Sequence, residues 1–165
     1  YYIESSCNIE GIRNSIRYFQ ETYAKDKWLV VILDHTLLVD GNNSEDDRTM
    51  LEKLEKMFIE VKKLGRTTII QLTQLNRNIE QIERLKNPAM HYPIRSDISS
   101  GDTIYHASDY LLVIHRPDLL GIQQYGPYKL PVENLVYTHL LKNRDGGLGV
   151  LQFQNELKYN SLIEL

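Results

Sequence analysis

Apolar residues recur every three or four positions at Ile9, Ile12, Ile16, Phe19 and Tyr23. That period predicts a first amphipathic helix, with Asn8 as its N-cap. From Trp28 to Leu33 the period disappears into a continuous apolar run that ends on Asp34-His35. A run of that kind predicts a strand buried on both faces. After Gly41-Asn42-Asn43 a long helix is expected, with Ser44 and Asp47 resembling a capping box and Glu45 and Asp46 at the positive end of its dipole. Leu51, Leu54, Phe58 and Val61 form its inner stripe, Lys62 and Lys63 suit its negative end, and Gly65 stops it.

Thr67 to Leu72 reads as a second strand, short and β-branched. A brief helix through Ile79, Ile82 and Leu85 leads into the Pro-punctuated NPAMHYPIRSD. A helical turn from Thr103 to Ala107 precedes a third strand, Tyr110 to Ile114, and then a long loop carrying Pro117, Pro127 and Pro131. Two last strands, Leu135 to Leu141 and Leu148 to Phe153, are joined through NRDGG, where Asp145-Gly146 is a strong hairpin signal. Strand, helix, strand, helix, strand predicts an α/β fold with a mostly parallel sheet, flanking helices and a C-terminal antiparallel hairpin. Sites in such sheets gather beyond the carboxyl ends of the strands. Asp34, Gln74 and His115 each fall just past such an end, so one rim is expected to carry all three.

Composition narrows the class. The 165 residues are 42% hydrophobic and 25% charged, ordinary for one globular domain. No apolar run is long enough for a membrane span, and no signal-peptide pattern opens the chain. Cys7 is the lone cysteine, which excludes an internal disulfide and suits a reducing, cytoplasmic setting. A net charge of −3 argues against a general basic coat for nucleic acid but leaves room for a few local loops. The chain opens on Tyr1-Tyr2 without Met, which suggests a piece of something longer.

Four stretches carry candidate chemistry. A strand ending on Asp34 is how nucleotide hydrolases hold Mg²⁺, directly or through water; the plain alternative is a cap or turn. In QLTQLNRNIE, Gln74 sits where a neutral amide senses a terminal phosphate or positions water, with Arg77 three residues on; a polar turn capped by Asn76 is the alternative. In HLLKNRDGGLGV, Lys142 and Arg144 share strand parity and project to one side of a hairpin tip. Two cations held together suit a phosphate, and an Arg fork suits a transferring γ-phosphoryl group, against an ordinary solvated hairpin end. In SDISSGDTIYHASD, hydroxyls and backbone N–H groups before a helical start suit a nucleic-acid phosphate, against a simple capped loop. The five histidines show no tight ligand spacing, so a two-metal hydrolase built on Asp34, His35, Asp109 and His115 is disfavoured, and His115 reads instead as ending a strand and bonding a neighbouring loop.

Taken in this order, the four stretches resemble the RecA-like P-loop ATPase domain of DnaB-type replicative DNA helicases. VVILDHTLLV resembles that family's Walker B strand, with Asp34 in the metal-facing place. QLTQLNR resembles its next motif, with Gln74 as the phosphate-sensing glutamine. SDISSGDTIYHASDYLLVIHR resembles its DNA-loop segment, and KNRDGGLG its KNRNGPTG, where Lys142 and Arg144 match the lysine and the arginine finger. The resemblance implies ATP and Mg²⁺ as cofactors, a hexameric ring, single-stranded DNA met through Arg77, Ser99, Ser100 and Gly101, and a helicase loader and primase as partners. It also implies a bacterial or phage-infected cell. His35-Thr36-Leu37 departs from the usual Tyr-Leu-Gln, and Ser99-Ser100 replaces an Arg-Glu pair in the DNA loop. No GxxxxGK[ST] occurs, so residues 1–165 are expected to be the C-terminal portion of the ATPase domain, with the Walker A region and catalytic Glu upstream. Alone, such a portion is expected to hydrolyse little or nothing. Without the phosphate-loop strand its sheet is expected to show unpaired edges, with oligomers or a rearranged edge as the result. Two rivals remain: a RecA- or RadA-type recombinase core, and a non-enzymatic remnant that serves a helicase ring as loader or scaffold.

Overall fold

The computed structural model describes residues 1–3, 7–36, 39, 46–99 and 101–165. They divide into two compact units, Tyr1–Gln74 and Leu75–Leu165.

The first unit contains α1 (Ile9–Thr22), β1 (Leu29–Leu33), α2 (Asp47–Lys63) and β2 (Thr67–Gln71). Asn8 caps α1 as expected, its Oδ1 accepting from Gly11 N at 2.8 Å. Ser44 of the expected capping box, and Glu45, lie outside the described residues. The cap of α2 is Asp46, which accepts from Thr49 N at 2.7 Å. Met50, Leu51, Leu54, Met57, Phe58 and Val61 bury one face of α2, and Ile16 is the buried residue of α1, which packs on it. Arg13 bridges the two helices to Glu60 at 2.9 Å.

β1 and β2 pair in parallel, with Leu29 opposite Thr67 and Leu33 opposite Gln71. The expectation of a strand buried on both faces fails for β1. Leu29, Val31 and Leu33 are half-buried, whereas Val30 and Ile32 are 53% and 65% exposed. Apolar character was read as two-sided burial, but among the described residues only one face of this pair is covered.

The second unit holds α3 (Ile82–Lys86), α4 (Gly101–Ala107), β3 (Tyr110–His115), β4 (Leu135–Asn143), β5 (Gly149–Glu156) and β6 (Ser161–Glu164). The expected brief helix is split. A 3-10 turn at Arg77–Glu80 and α3 are separated by Gln81, whose backbone is extended. The antiparallel part is larger than a hairpin, because β3, β4, β5 and β6 form one antiparallel sheet in that order. β6 was not anticipated, since its four residues carry no turn signal of the Asp-Gly kind. Within the described strands β1 and β2 pair only with each other, and β3 and β6 each pair on one side, so both sheets have open edges.

A bulge shapes the β3–β4 ladder. Leu111 faces Lys142, but Leu112 faces Leu140, so Leu141 is the extra residue. The bulge therefore puts Lys142 and His139, three residues apart, opposite the buried side chains Leu111 and Val113. The core here is Tyr125, Leu135 and Tyr137, with Tyr92, Ile122, Leu130 and Val132 against it. Gly126 lies at φ +72°, and a Cβ there would stand 2.0 Å from the Tyr92 ring, so only glycine fits.

Candidate functional site

In the first unit, Asp34 follows the last residue of β1, and Gln74 lies three residues beyond β2. Because the strands are parallel and Leu33 pairs with Gln71, both side chains stand at one carboxyl-terminal rim, and both are exposed. The peptide after Asp34 is cis. The chain then turns back onto β2: Thr36 N and Oγ1 both donate to Leu72 O, at 3.0 and 2.8 Å, and Gln71 Nε2 donates to Thr36 Oγ1 at 3.0 Å. Thr36 is almost wholly buried, so the segment leaving Asp34 is tied to the segment leading to Gln74.

Beneath this tie lies Glu55 of α2, a residue the sequence reading passed over. It is buried, and burial raises its carboxyl to about 7 while a hydrogen bond with Gln71 acts the other way. A signal was present. Glu55 shares the i, i+3, i+4, i+7 stripe of Leu51, Leu54 and Phe58.

The second unit opens by fastening the residues after Gln74 to the expected DNA loop. Leu75 and Ile98 form an antiparallel bridge. Asn76 N donates to Asp97 O at 2.6 Å, and Asn76 Nδ2 to Ser96 O at 2.7 Å. Asn76 Oδ1 also caps the turn that begins at Arg77, which is exposed. Ser99 is half-buried, and Ser100 lies outside the described residues. Gly101 is buried at the start of α4, with its N–H given to Ile98 O at 2.9 Å. A Cβ there would stand 2.3 Å from Arg95 O, so this glycine permits a tight turn.

Asp97 anchors the loop from inside. It pairs with Arg84 in a buried ion pair, and its Oδ2 accepts from Ile94 N at 2.8 Å. Arg84 uses its remaining donors on Met90 O and Tyr92 O, at 3.0 and 2.9 Å. A buried charge pair with its donors placed in this way is the only kind that a core tolerates.

His115 ends β3 and bonds the loop that follows, as the plainer reading of a strand-end histidine expects, and is not on an open rim. It is buried, and its Nδ1 lies 2.7 Å from Tyr125 Oη, which lies 2.7 Å from His139 Nε2. One hydroxyl donates once, so one imidazole nitrogen accepts from Tyr125 and the other donates to it. Burial pushes both histidines down to about 4, and it raises the Tyr125 phenol far above its usual range. This trio reads as a core network that ties the end of β3 to the loop after it and to β4. Among the described residues no group of three His, Cys, Asp or Glu side chains is placed to hold a metal.

The hairpin cations do come together. Lys142 Nζ donates to Tyr105 O, and lies 3.4 Å from His106 O. Arg144 Nη1 lies 2.5 Å from Asp109 Oδ1. Both are therefore held at the end of α4 and its exit. No described helix is long and apolar enough to cross a membrane.

Comparison with curated proteins gives no match. Among solved structures, the ATPase domain of another protein is similar over 99% of this chain and 54% of that one, with a TM-score of 0.78 and 18% identity. A structure of a DnaB-like replicative helicase and its interactions with primase gives the same TM-score and identity, over 99% of this chain and 36% of that one. The chain thus spans about half or less of the structures it matches, and at this identity the likeness is one of fold. The expected α/β, RecA-like architecture holds, with a parallel and an antiparallel sheet. The family model for the DnaB-like helicase C terminal domain matches residues 2–163, and the chain belongs to that family.

Proposed function

We propose that this chain supplies part of an ATP-driven, ring-forming DNA helicase, and that its site residues complete pockets shared between adjacent copies. The observation that carries this reading is the common rim of Asp34 and Gln74 at the ends of two paired parallel strands. An exposed, rigidly mounted carboxylate fits Mg²⁺, which takes one or two carboxylates and fills its shell with water and phosphate oxygens. Bound there, Mg²⁺ with ATP would neutralise charge developing on the phosphates. Asp34 would hold that ion, directly or through its water. The Gln74 amide, one residue before the Leu75–Ile98 bridge, reports the γ-phosphate to the loop at Ser96–Ser99. Arg77, Ser99 and Ser100 meet the DNA backbone, and Gly101 shapes the turn behind them. Lys142 and Arg144 reach a neighbour's phosphates.

The absence of GxxxxGK[ST] from the sequence implies that the phosphate loop is supplied by residues outside it. The open edges of both sheets suit a fold that takes further strands. Single-stranded DNA, a loader and a primase are the proposed partners, and the helicase seen with primase among the structural relatives supports the last.

Arg144→Ala, made in the assembled ATP-hydrolysing protein that carries this chain, is expected to lower DNA-stimulated turnover by about 10³-fold or more. ATP affinity should stay within a few-fold. Near-normal turnover would remove Arg144 from the reaction. Strand exchange without unwinding would favour the recombinase reading.

A further inference from the structure

The two cations of the β4–β5 turn are both gripped by one short segment, Tyr105 to Asp109. Lys142 donates to the backbone oxygens of Tyr105 and His106, the last carbonyls of α4, and its Nζ lies 4.9 Å from the Tyr105 ring centroid. A cation there suits the negative end of the helix. The β4 bulge at Leu141 is what turns Lys142 toward this side. Two residues on, Arg144 pairs with the Asp109 carboxylate at 2.5 Å, while Arg144 N donates to Asp109 O at 3.0 Å.

The same helix is gripped at its start by the loop before it. Arg95 lies 4.4 Å from the Tyr105 ring centroid, 2.7 Å from Asp102 and 3.0 Å from His106 Nε2. Tyr105 thus has Arg95 of the loop and Lys142 of the hairpin against one ring. α4 has seven residues and runs as a rigid link from the loop to the cations.

We infer that Asp109 is a positioning residue for Arg144: it holds the guanidinium in reserve and releases it when an adjoining copy presents a phosphate. The inference rests on the function proposed above. The side chains are 54% and 30% exposed, so the guanidinium lies within reach of solvent and of a phosphate, although the Asp109 oxygen it meets is itself covered. Its carboxylate is rehydrated as the guanidinium leaves. The backbone bond from Arg144 to Asp109 does not depend on the carboxylate, so the turn survives its loss. Movement of the loop at the start of α4 shifts Asp109 at its end. Binding of DNA at the loop and release of Arg144 are then one event.

The test is steady-state ATP hydrolysis by the assembled protein, with and without single-stranded DNA. Asp109→Asn is expected to raise DNA-free kcat roughly two- to fivefold, the range over which an exposed ion pair biases a two-state side chain. KM for ATP should hold, so the stimulation by DNA shrinks by the same factor. Asp109→Glu should restore the wild-type ratio. In an Arg144→Ala background, Asp109→Asn should change nothing further. An unchanged DNA-free rate, or equal losses with and without DNA, overturns this role for Asp109 while an inactive Arg144→Ala keeps the proposed function standing. An active Arg144→Ala overturns both.

Discussion

The two units solve burial in opposite ways. In Tyr1–Gln74 the buried side is mostly apolar, with Met50, Leu54, Met57, Phe58 and Val61 beside two threonine hydroxyls, Thr36 and Thr67, and, among the described residues, one buried acid, Glu55. In Leu75–Leu165 the buried side is threaded with polar groups: the Arg84–Asp97 pair, His91, and His115 and His139 on Tyr125. The apolar unit carries its candidate residues at a rim, on exposed side chains at strand ends. The polar unit uses its interior network to fix a loop and a hairpin that carry the other candidates. Polar interiors specify position at a cost in tolerance, because each member depends on its partners. The loop proposed to meet a nucleic acid therefore has the less forgiving core.

The largest expected effect tests that difference. Arg84→Ala leaves the buried Asp97 carboxylate and the Met90 and Tyr92 carbonyls without their donors, at a cost of about 3–5 kcal/mol. Native-state hydrogen exchange should show the loss in amides of Leu75–Leu165. An equal loss among amides of Tyr1–Gln74 would show one cooperative structure and dissolve the comparison.

Acid and base should then act on the units with opposite sign. Burial raises Glu55 from 4.5 to about 7, so the folded first unit binds a proton that the unfolded chain has released. Its stability is full below pH 4.5 and declines as pH rises through 7, by about 3 kcal/mol at most. Burial lowers His115 and His139 from 6.5 to about 4, so there the unfolded chain binds more protons. Stability of the second unit is full above pH 6.5 and is lost as pH falls through 4. The groups facing this pair are Tyr125, Arg84, Asp97 and His91. Unit-resolved exchange at pH 5 and pH 8 should show the crossing. Glu55→Gln should flatten the first slope and leave the second. Parallel slopes would refute the assignment of either group.

What the sequence disclosed and what it concealed follow the same division. α1, its Asn8 cap, the stripe of α2 and the Asp145-Gly146 turn were legible because each is written within about ten residues. Asp34 and Gln74 were legible as strand-end residues, and the parallel pairing of β1 with β2 sets them on one rim. The Arg84–Asp97 pair was not, since two charged residues thirteen apart read as solvated surface until the fold brings them together. Nor was the Leu141 bulge, on which the aim of Lys142 depends. Of the two readings of His115, a rim residue or a strand end bonded to a neighbouring loop, the second holds, its partner being Tyr125 of the loop after β3. Asp109 drew notice only in a metal reading, yet it faces Arg144.

The smallest effects compare one residue type in two settings. Asn8 and Asn76 both cap helical turns, accepting from Gly11 N and Asn78 N at 2.8 and 3.0 Å. Asn8 does only that, so Asn8→Ala should cost about 1 kcal/mol, felt as fraying of α1, and Asn8→Asp should recover most of it because a carboxylate caps as well. Asn76 also donates from Nδ2 to Ser96 O, and that bond helps join the segment after Gln74 to the loop. Asn76→Ala should therefore cost more than Asn8→Ala, and Asn76→Asp should recover the cap but not the bond to Ser96, because a carboxylate has no proton to give. Exchange rates at Ser96–Ile98 separate the cases. They should rise in both Asn76 variants and in neither Asn8 variant. If Asn76→Asp protects these amides as the native residue does, the side chain is only a cap, and the tie between the Gln74 segment and the loop rests on the Leu75–Ile98 bridge and the Asn76 backbone alone.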